Sequence, residues 1–389
     1  MRLRHIRHAR IRPGTRVLVR VDFNVVIKEG RVLDDFRMRE ALLTLSYLIK
    51  RKCRIRIVGH LGRPGGRRVA RLSLLPLAKH LAGLLDRRIQ FIRDPLDQRA
   101  IDRYDGSRDI LFFENLRFWP GEEKNNESFA RALATWGDLY VNEAFSDIHR
   151  AHASMVALPK YIPGYAGFRL FDEVRFLGKA RDIPARPCLV IFGGAKVSTK
   201  LPLIRKFLKV ADRIIIAGAM ANTVFLREGI EIGVSTAERD MDGVPPRAFF
   251  RNQKLLYPVD VVVMRGGVFA RGRTRRVRIG ALRSDDFIVD SGPRSIELFV
   301  KEAKRAKTVI WNGPLGYTDI LRFQRGTRRF AEALSRMRSF RVVGGGETVA
   351  VLNRAKLVKK FSHVSTGGGA MLEFFMGKRF PALDALSLK

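Results

Sequence analysis

Residues 188–220 read CLVIFGGAKVSTKLPLIRKFLKVADRIIIAGAM, and this stretch decides the fold. Cys188–Phe192 is a short apolar run suited to a buried strand, and Gly193-Gly194 end it. Val197–Val210 follows with a helical pattern, and Arg213–Ala217 is a second strand. Strand, glycine turn, helix and strand make a βαβ unit, which places the two strands parallel in one sheet.

The same grammar extends in both directions. Val17–Phe23, Arg54–Val58, Ile89–Ile92, Ile110–Phe113 and Leu139–Val141 read as buried strands. Met38, Ala41, Leu42, Leu45, Leu48 and Ile49 keep the i, i+3, i+4 spacing of an amphipathic helix, as do Leu74, Leu77, Ala78, Leu81, Leu84 and Leu85. Around 160–188 the pattern changes to the turn-rich YIPGYAG, a helix over Leu170–Ala180 and the proline-bearing RDIPARP, which reads as an inter-domain connection. Val259–Met264, Thr308–Trp311, Arg341–Val343 and His363–Ser365 continue the strand series, with a further helix at Ile296–Ala306. The expected fold class is α/β, with two doubly wound parallel-sheet, Rossmann-like domains. At 389 residues the chain is long enough for two cores.

In such sheets, ligands sit beyond the carboxyl ends of the strands. The post-strand residues differ between the two halves. The first half offers Asp22, Asn24, His60, Arg63, Glu114, Asn115, Arg117, Asn142 and Glu143, with Arg150 a few residues on and Arg37 opening the first helix. Several loops delivering basic or hydrogen-bonding groups to one edge suit a small, multiply anionic molecule, although any single arginine is more often a solvated surface residue. The second half offers Gly193-Gly194-Ala195-Lys196, Asn312-Gly313-Pro314, Gly344-Gly345-Gly346-Glu347-Thr348 and Thr366-Gly367-Gly368-Gly369. Glycine turns that lead into helices present free N–H groups and a positive dipole end to phosphate oxygens. Tight strand-to-helix turns without a ligand explain one such cluster more readily than three. Neither GxxxxGK[ST] nor a post-strand GxGxxG occurs, so a P-loop enzyme and a standard dinucleotide-binding enzyme are not supported.

Two cysteines, Cys53 and Cys188, supply no disulfide framework or CxxC metal pair, which fits a reducing, cytoplasmic setting. MRLRHIRHARIRPGTR at the start is basic but lacks the apolar stretch of a signal peptide, and no apolar run approaches the ~20 residues of a membrane span, so the expectation is a soluble protein with no membrane partner. The 74 Lys+Arg against 38 Asp+Glu leave a net charge of +36, which attracts polyanions. Nucleic acid, anionic metabolites and a bias spread over solvated faces are all compatible with that excess. The densest basic segment, RGGVFARGRTRRVR at 265–278, reads as a hairpin with a solvated basic face; Phe269 is its only aromatic residue, so stacking on single strands lacks its usual parts.

Nine stretches then carry a resemblance: VLVRVDFNV (17–25), GHLGRPGG (59–66), LFFENLRF (111–118), YVNEAFSDIHRAHAS (140–154), FGGAKVSTKLPLI (192–204), WNGPLG (311–316), FQRGT (323–327), VVGGGET (342–348) and STGGGAMLEF (365–374). In this order they closely resemble the phosphoglycerate kinase family across nearly the whole chain. The resemblance implies two domains facing across a cleft: an N-terminal 3-phosphoglycerate-binding domain at 1–168, onto which the tail 379–389 packs back, an inter-domain helix and hinge at 169–185, and a nucleotide-binding domain at 186–378. It implies reversible phosphoryl transfer between 1,3-bisphosphoglycerate and ADP, giving 3-phosphoglycerate and ATP with Mg2+, in a glycolytic, cytoplasmic monomer. By similarity, Asp22, Asn24, Arg37, His60, Arg63, Arg117 and Arg150 bind the acid. Gly194, Lys196, Lys200, Gly218, Asn312, Asp319, Gly346, Glu347, Thr348 and Thr366 bind the nucleotide, and Glu347 holds the metal. Arg37, Lys196, Gly367 and Gly368 are the catalytic group.

The chemistry agrees with that inventory. An acyl phosphate is already activated and its acceptors are ionised at neutral pH, so direct in-line transfer with hinge closure requires no general base. Five positions depart from the family pattern: Glu347 and Asp319 exchange the usual acid lengths, Thr199 replaces an Asp, and Ala217 and Ala219, either side of Gly218, stand in a glycine triplet and narrow the adenine pocket. The alternative function from a different class is a polyanion- or nucleic-acid-binding protein on a kinase-derived scaffold, with non-specific nucleic-acid contacts.

Overall fold

Val17, Val19, Ile55, Ile57, Phe112 and Val141 are almost completely buried, as strands covered on both faces require. A computed structural model of the protein describes residues 3–387 except 105, 108, 241 and 271, with the backbone alone at 98 and 101. Residues 1–2 and 388–389 of the expected first domain and its tail lie outside the described residues. The chain divides into two compact units, Met1–Arg175 with Lys378–Lys389, and Phe176–Gly377. The division falls inside the helix Phe168–Asp182.

The first unit holds a six-stranded parallel sheet in the order Ile89–Ile92, Ile110–Phe113, Arg54–Val58, Arg16–Arg20, Leu139–Asn142, Gly164–Ala166. The helix Phe36–Lys50 buries Met38, Ala41, Leu45 and Leu48, the stripe read from the sequence. Leu75–Leu85 does the same with Leu77, Ala78 and Leu81. Consecutive strands spread to one side of Arg16–Arg20 and then return to Leu139–Asn142 on its other side. The loops leaving these two neighbours part in opposite directions, which opens a crevice at that switch point. Gly164–Ala166 falls in YIPGYAG, where the turn residues concealed a strand too short for periodicity to show. At the chain's end, Arg4 N–H donates to Leu386 O at 3.2 Å and Leu3 bridges Ser387.

The second unit holds six parallel strands in the order Leu255–Leu256, Arg213–Ile216, Cys188–Phe192, Thr308–Asn312, Phe340–Gly344, His363–Val364. Counted along the chain this is 3-2-1-4-5-6, the doubly wound order of dinucleotide folds, with its switch point between Cys188–Phe192 and Thr308–Asn312. One strand in the sequence series belongs elsewhere. Asp260–Arg265 joins no parallel sheet; it lies antiparallel between Arg275–Arg278 and Asp286–Ser291. A hairpin return across the basic segment makes the antiparallel pairing local, and periodicity cannot distinguish it from a parallel strand. Among the described residues no helix is long and apolar enough to cross a membrane.

Candidate functional site

In the first unit the informative side chains gather around Asp147. Arg20, fully buried at the end of its strand, places Nη2 3.2 Å from Asp147 Oδ2 and 3.1 Å from His60 Nδ1. Arg117 Nη2 donates to Asp147 Oδ1 at 3.4 Å and Arg150 Nε lies 3.3 Å from the same oxygen. Arg117 also donates to Gly62 O at 2.7 Å, which fixes the loop 59–66. Burial lowers Arg117 to about 10, so it stays protonated at neutral pH. His60 is pushed well below its usual value, first by burial and then by Arg20 and Arg117, so it is neutral at pH 7. His60 Nδ1 also lies 3.2 Å from Asp147 Oδ2.

Arg37 begins the helix Phe36–Lys50 and donates to Asp22, whose Oδ2 also accepts from Ser146 Oγ at 2.5 Å. Asn24 Oδ1 receives the Gly62 N–H at 3.1 Å, and Arg63 is exposed beside that loop. Guanidinium groups therefore outnumber the carboxylates facing them, and the surplus is suited to an anion with more than one charge.

Other post-strand residues are structural. Glu114 accepts Ser73 Oγ at 2.7 Å and Leu74 N–H at 2.8 Å, where it steadies the start of Leu75–Leu85. Asn142 Oδ1 accepts the Ala144 N–H at 2.9 Å. Buried Glu143, raised to about 7 by desolvation, accepts from Thr44 Oγ1 and from the Leu170 N–H at 3.0 Å. Sequence reasoning missed Arg20, Asp147 and the buried pair Ser154–Glu122, in which Ser154 Oγ accepts from Arg20 Nε at 2.9 Å and donates to Glu122 at 2.6 Å. Arg20 did leave a signal, a charge inside the apolar run VLVRV.

The glycines of the second unit separate into two kinds. A Cβ on Gly193 would lie 1.9 Å from Pro314 O, and one on Gly313 would lie 2.3 Å from Gly193 O. Those two are small because the loops from neighbouring strands cross there. Gly346, Gly368 and Gly369 have open space where a Cβ would stand, and Gly368 also has φ +51°. Gly346 and Gly369 each begin a helix, Gly346–Arg354 and Gly369–Met376, so backbone donors face that open space. The Gly367 N–H is engaged by Ser365 Oγ at 3.1 Å.

A cavity of about 180 Å³ lies beside these loops. Gly194, Gly218, Ala219, Asp319 and Glu347 line it, together with an apolar wall of Phe287, Val289, Pro314 and Leu315 that the sequence did not reveal. Ala219 borders the cavity as expected; Ala217 is fully buried outside its lining, so only one of the two extra methyl groups narrows it. Lys196 is exposed immediately before the helix Val197–Val210. Lys200 turns inward to Gly193 O, and burial lowers it to about 8. Asn312 is buried beneath Gly345, with Nδ2 3.4 Å from the position of a Cβ there. Thr348 is fully buried and its hydroxyl has no partner among the described residues. Thr366 lies in the loop between His363–Val364 and the helix Gly369–Met376. Glu347 is raised first by desolvation and then by Asp319, with Lys200 opposing. Two carboxylates that repel each other at a cavity edge are a donor set a hard cation would relieve.

Asp290 borders the same cavity and is pushed up to about 7 by burial, although the N–H groups of Gly326 at 2.5 Å and Ser291 at 2.9 Å favour its charged form. Its folded value exceeds its unfolded one, so its stabilising contribution is full below about pH 4 and is lost as pH rises to about 7. Relative to Asp290→Asn, the wild type should lose stability across that window, by at most about 1.4 kcal/mol per pH unit, and then level off. Urea unfolding of both proteins between pH 4.5 and 8 measures this; a difference independent of pH would contradict it.

Two doubly wound units, one with arginines at its strand ends and one with glycine-led helix N-termini beside a cavity, define a two-unit α/β protein whose strand ends suit anionic ligands. The phosphoglycerate kinase family model matches residues 8–378. Phosphoglycerate kinase of Pelotomaculum thermopropionicum is 42% identical over 382 residues, covering 96% of each chain, and that of Coprothermobacter proteolyticus is 41% identical over 393, covering 99% of each. Among solved structures, phosphoglycerate kinase from Coxiella burnetii superposes with a TM-score of 0.82 at 34% identity, and that from Pyrococcus horikoshii with 0.87 at 27%; each comparison covers 99% of this chain and 98% of the other. The chain belongs to the phosphoglycerate kinase family. It is accordingly a transferase of the glycolytic kinase reaction, which exchanges a phosphoryl group between 1,3-bisphosphoglycerate and ADP to give 3-phosphoglycerate and ATP.

Proposed function

We propose that the first unit binds the acid through Asp22, Asn24, Arg37, His60, Arg63, Arg117 and Arg150, and that the second binds the nucleotide through Gly194, Lys196, Lys200, Gly218, Asn312, Asp319, Gly346, Glu347, Thr348 and Thr366. The observation that carries this reading is the convergence of Arg117, Arg150 and His60 on buried Asp147, with Arg37 held by Asp22 at the neighbouring strand end. Asp147 keeps the guanidiniums oriented before substrate arrives, so little ordering is left for binding to do.

The phosphoryl passes directly and in line between acid and nucleotide. Arg37 and Lys196 stabilise its charge and the backbone of Gly368 orients it, while Gly367, whose N–H is held by Ser365 Oγ, shapes the turn that presents Gly368. His60 is neutral and already engaged by Arg20, which supports a binding role and argues against proton transfer. Closure at the hinge 169–185 excludes the water that would hydrolyse the acyl phosphate. The unpartnered Thr348 hydroxyl and the open N–H groups at Gly346 suit nucleotide phosphates. Glu347, beside Asp319, holds Mg2+, which when bound neutralises charge on those phosphates. The working form in this reading is a cytoplasmic monomer.

A coupled assay tests the proposal. Folded protein should turn over only when 3-phosphoglycerate and MgATP are both present, and its absence would overturn the reading. Glu347→Gln should raise the Mg2+ concentration for half-maximal rate about tenfold or more; an unchanged requirement would remove Glu347 as the metal ligand.

A further inference from the structure

The second unit carries a basic groove that the phosphotransfer reaction does not use. It encloses about 770 Å³ where the helix Arg325–Ser335 faces the antiparallel sheet. Arg273, Arg276, Arg322, Arg325, Arg328 and Arg329 surround it. Sheet register explains part of this convergence. Arg276 stands opposite Val262, and Val262 opposite Asp290, so the three share one face of the sheet and line the groove together. Arg275, the next residue on the strand, pairs instead with Asp286. On the helix, Arg325 and Arg329 are one turn apart and project from the same side.

The groups differ in what holds them. Arg328 pairs with Glu332 at 2.8 Å, and Arg322 donates to Ala270 O at 3.3 Å. Arg273, Arg276, Arg325 and Arg329 are exposed and have no side-chain hydrogen bond or ion pair among the described residues. Some arginines elsewhere on the surface are paired, as Arg16 is with Asp138, Arg186 with Asp212 and Arg265 with Asp285, and what sets these four apart is that they line one concavity together. Four unpaired guanidiniums around one concavity repel one another, and a bound polyanion relieves that repulsion.

The lining indicates which polyanion. Among the described residues Phe323 is its only aromatic one and is 2% exposed, so none of them offers a ring for a base to stack on. The volume falls within the ~300–1,000 Å³ of small-molecule sites. The two carboxylates are already engaged, Asp290 by the Gly326 N–H and Glu332 by Arg328. We propose that this groove binds a compact polyphosphate, an anion with three or more linked phosphoryl groups, in preference to a nucleic acid.

Asp290 and Ser291 also border the nucleotide cavity, so the test keeps that cavity filled. Tripolyphosphate is titrated calorimetrically into the full chain saturated with ADP and 3-phosphoglycerate at about 0.1 M salt. One site is expected, with affinity at least tenfold weaker in Arg276→Gln/Arg325→Gln/Arg329→Gln, restored by the corresponding lysines, and at least tenfold weaker for orthophosphate. Circular dichroism checks the triple variant. If it loses its fold, the single exposed variants are read, each expected to weaken binding about threefold. No binding, or affinity unchanged in the variants, overturns the proposal. A 20-nucleotide single strand that displaces tripolyphosphate and binds more tightly through the same arginines overturns the preference for a compact anion.

Discussion

Arg37→Ala is expected to lower kcat/KM for 3-phosphoglycerate by two to three orders of magnitude, the loss on the order of 10²–10³ seen when one preorganised charge-stabilising donor is removed. The reason is geometric. Arg37 is half-buried at a helix start and pinned by Asp22, so it offers a fixed guanidinium and not a mobile surface charge. Its loss also has a stability cost, since Asp22 is buried and retains, among the described residues, only the Ser146 hydroxyl and the 3.4 Å contact from the Asn24 N–H. That cost should be about 1–2 kcal/mol, within the ~1–3 kcal/mol of a buried polar group that loses its partner. Steady-state kinetics with urea unfolding separates the two effects, and Arg37→Lys should recover part of the rate by keeping the charge. A rate within tenfold of wild type for Arg37→Ala would remove Arg37 from the catalytic group.

Asp147→Ala should produce the largest loss of stability, about 3–5 kcal/mol, because it leaves buried cations uncompensated. Arg20 and Arg117 are 0% and 1% exposed, and Asp147 is the carboxylate they share with Arg150. Arg20 would keep Ser154 and Val21 O, so the damage should concentrate at Arg117 and the loop 59–66 that it anchors. Hydrogen exchange is the appropriate measurement, since a two-unit chain need not unfold in one step. Strands Arg16–Arg20 and Leu139–Asn142 should lose protection while Cys188–Phe192 keeps it. A change below about 1 kcal/mol in the first unit would show that Asp147 is not the organising group. Asp147→Asn, which keeps an acceptor without the charge, should fall between.

These expectations rest on residues that differ in how visible they were. The parallel sheets were legible because buried strands and amphipathic helices leave distinct periods, as in VLVRV and in Met38, Ala41, Leu45 and Leu48. The post-strand positions of Arg37, His60, Arg117 and Arg150 followed from that order. Asp147 did not, because it lies in the turn Phe145–Asp147 with no period to mark it, and its role depends on two arginines distant in sequence, Arg20 and Arg117. Glu114 and Glu143 looked like equal candidates, but each spends its oxygens on a hydroxyl and a backbone N–H of neighbouring segments.

The sequence by itself determined two α/β units and the family, and it marked the strand ends as candidate sites. Tertiary structure alone decided which glycines are small to let backbones cross and which open toward a ligand, since that depends on what a Cβ would meet. It also decided that Asp260–Arg265 turns back antiparallel, and that Arg276 and Arg325 share one groove although 48 residues of chain intervene. Periodicity reports which side of an element is buried. It carries no record of which distant element buries it, and charges and close contacts are set by that pairing.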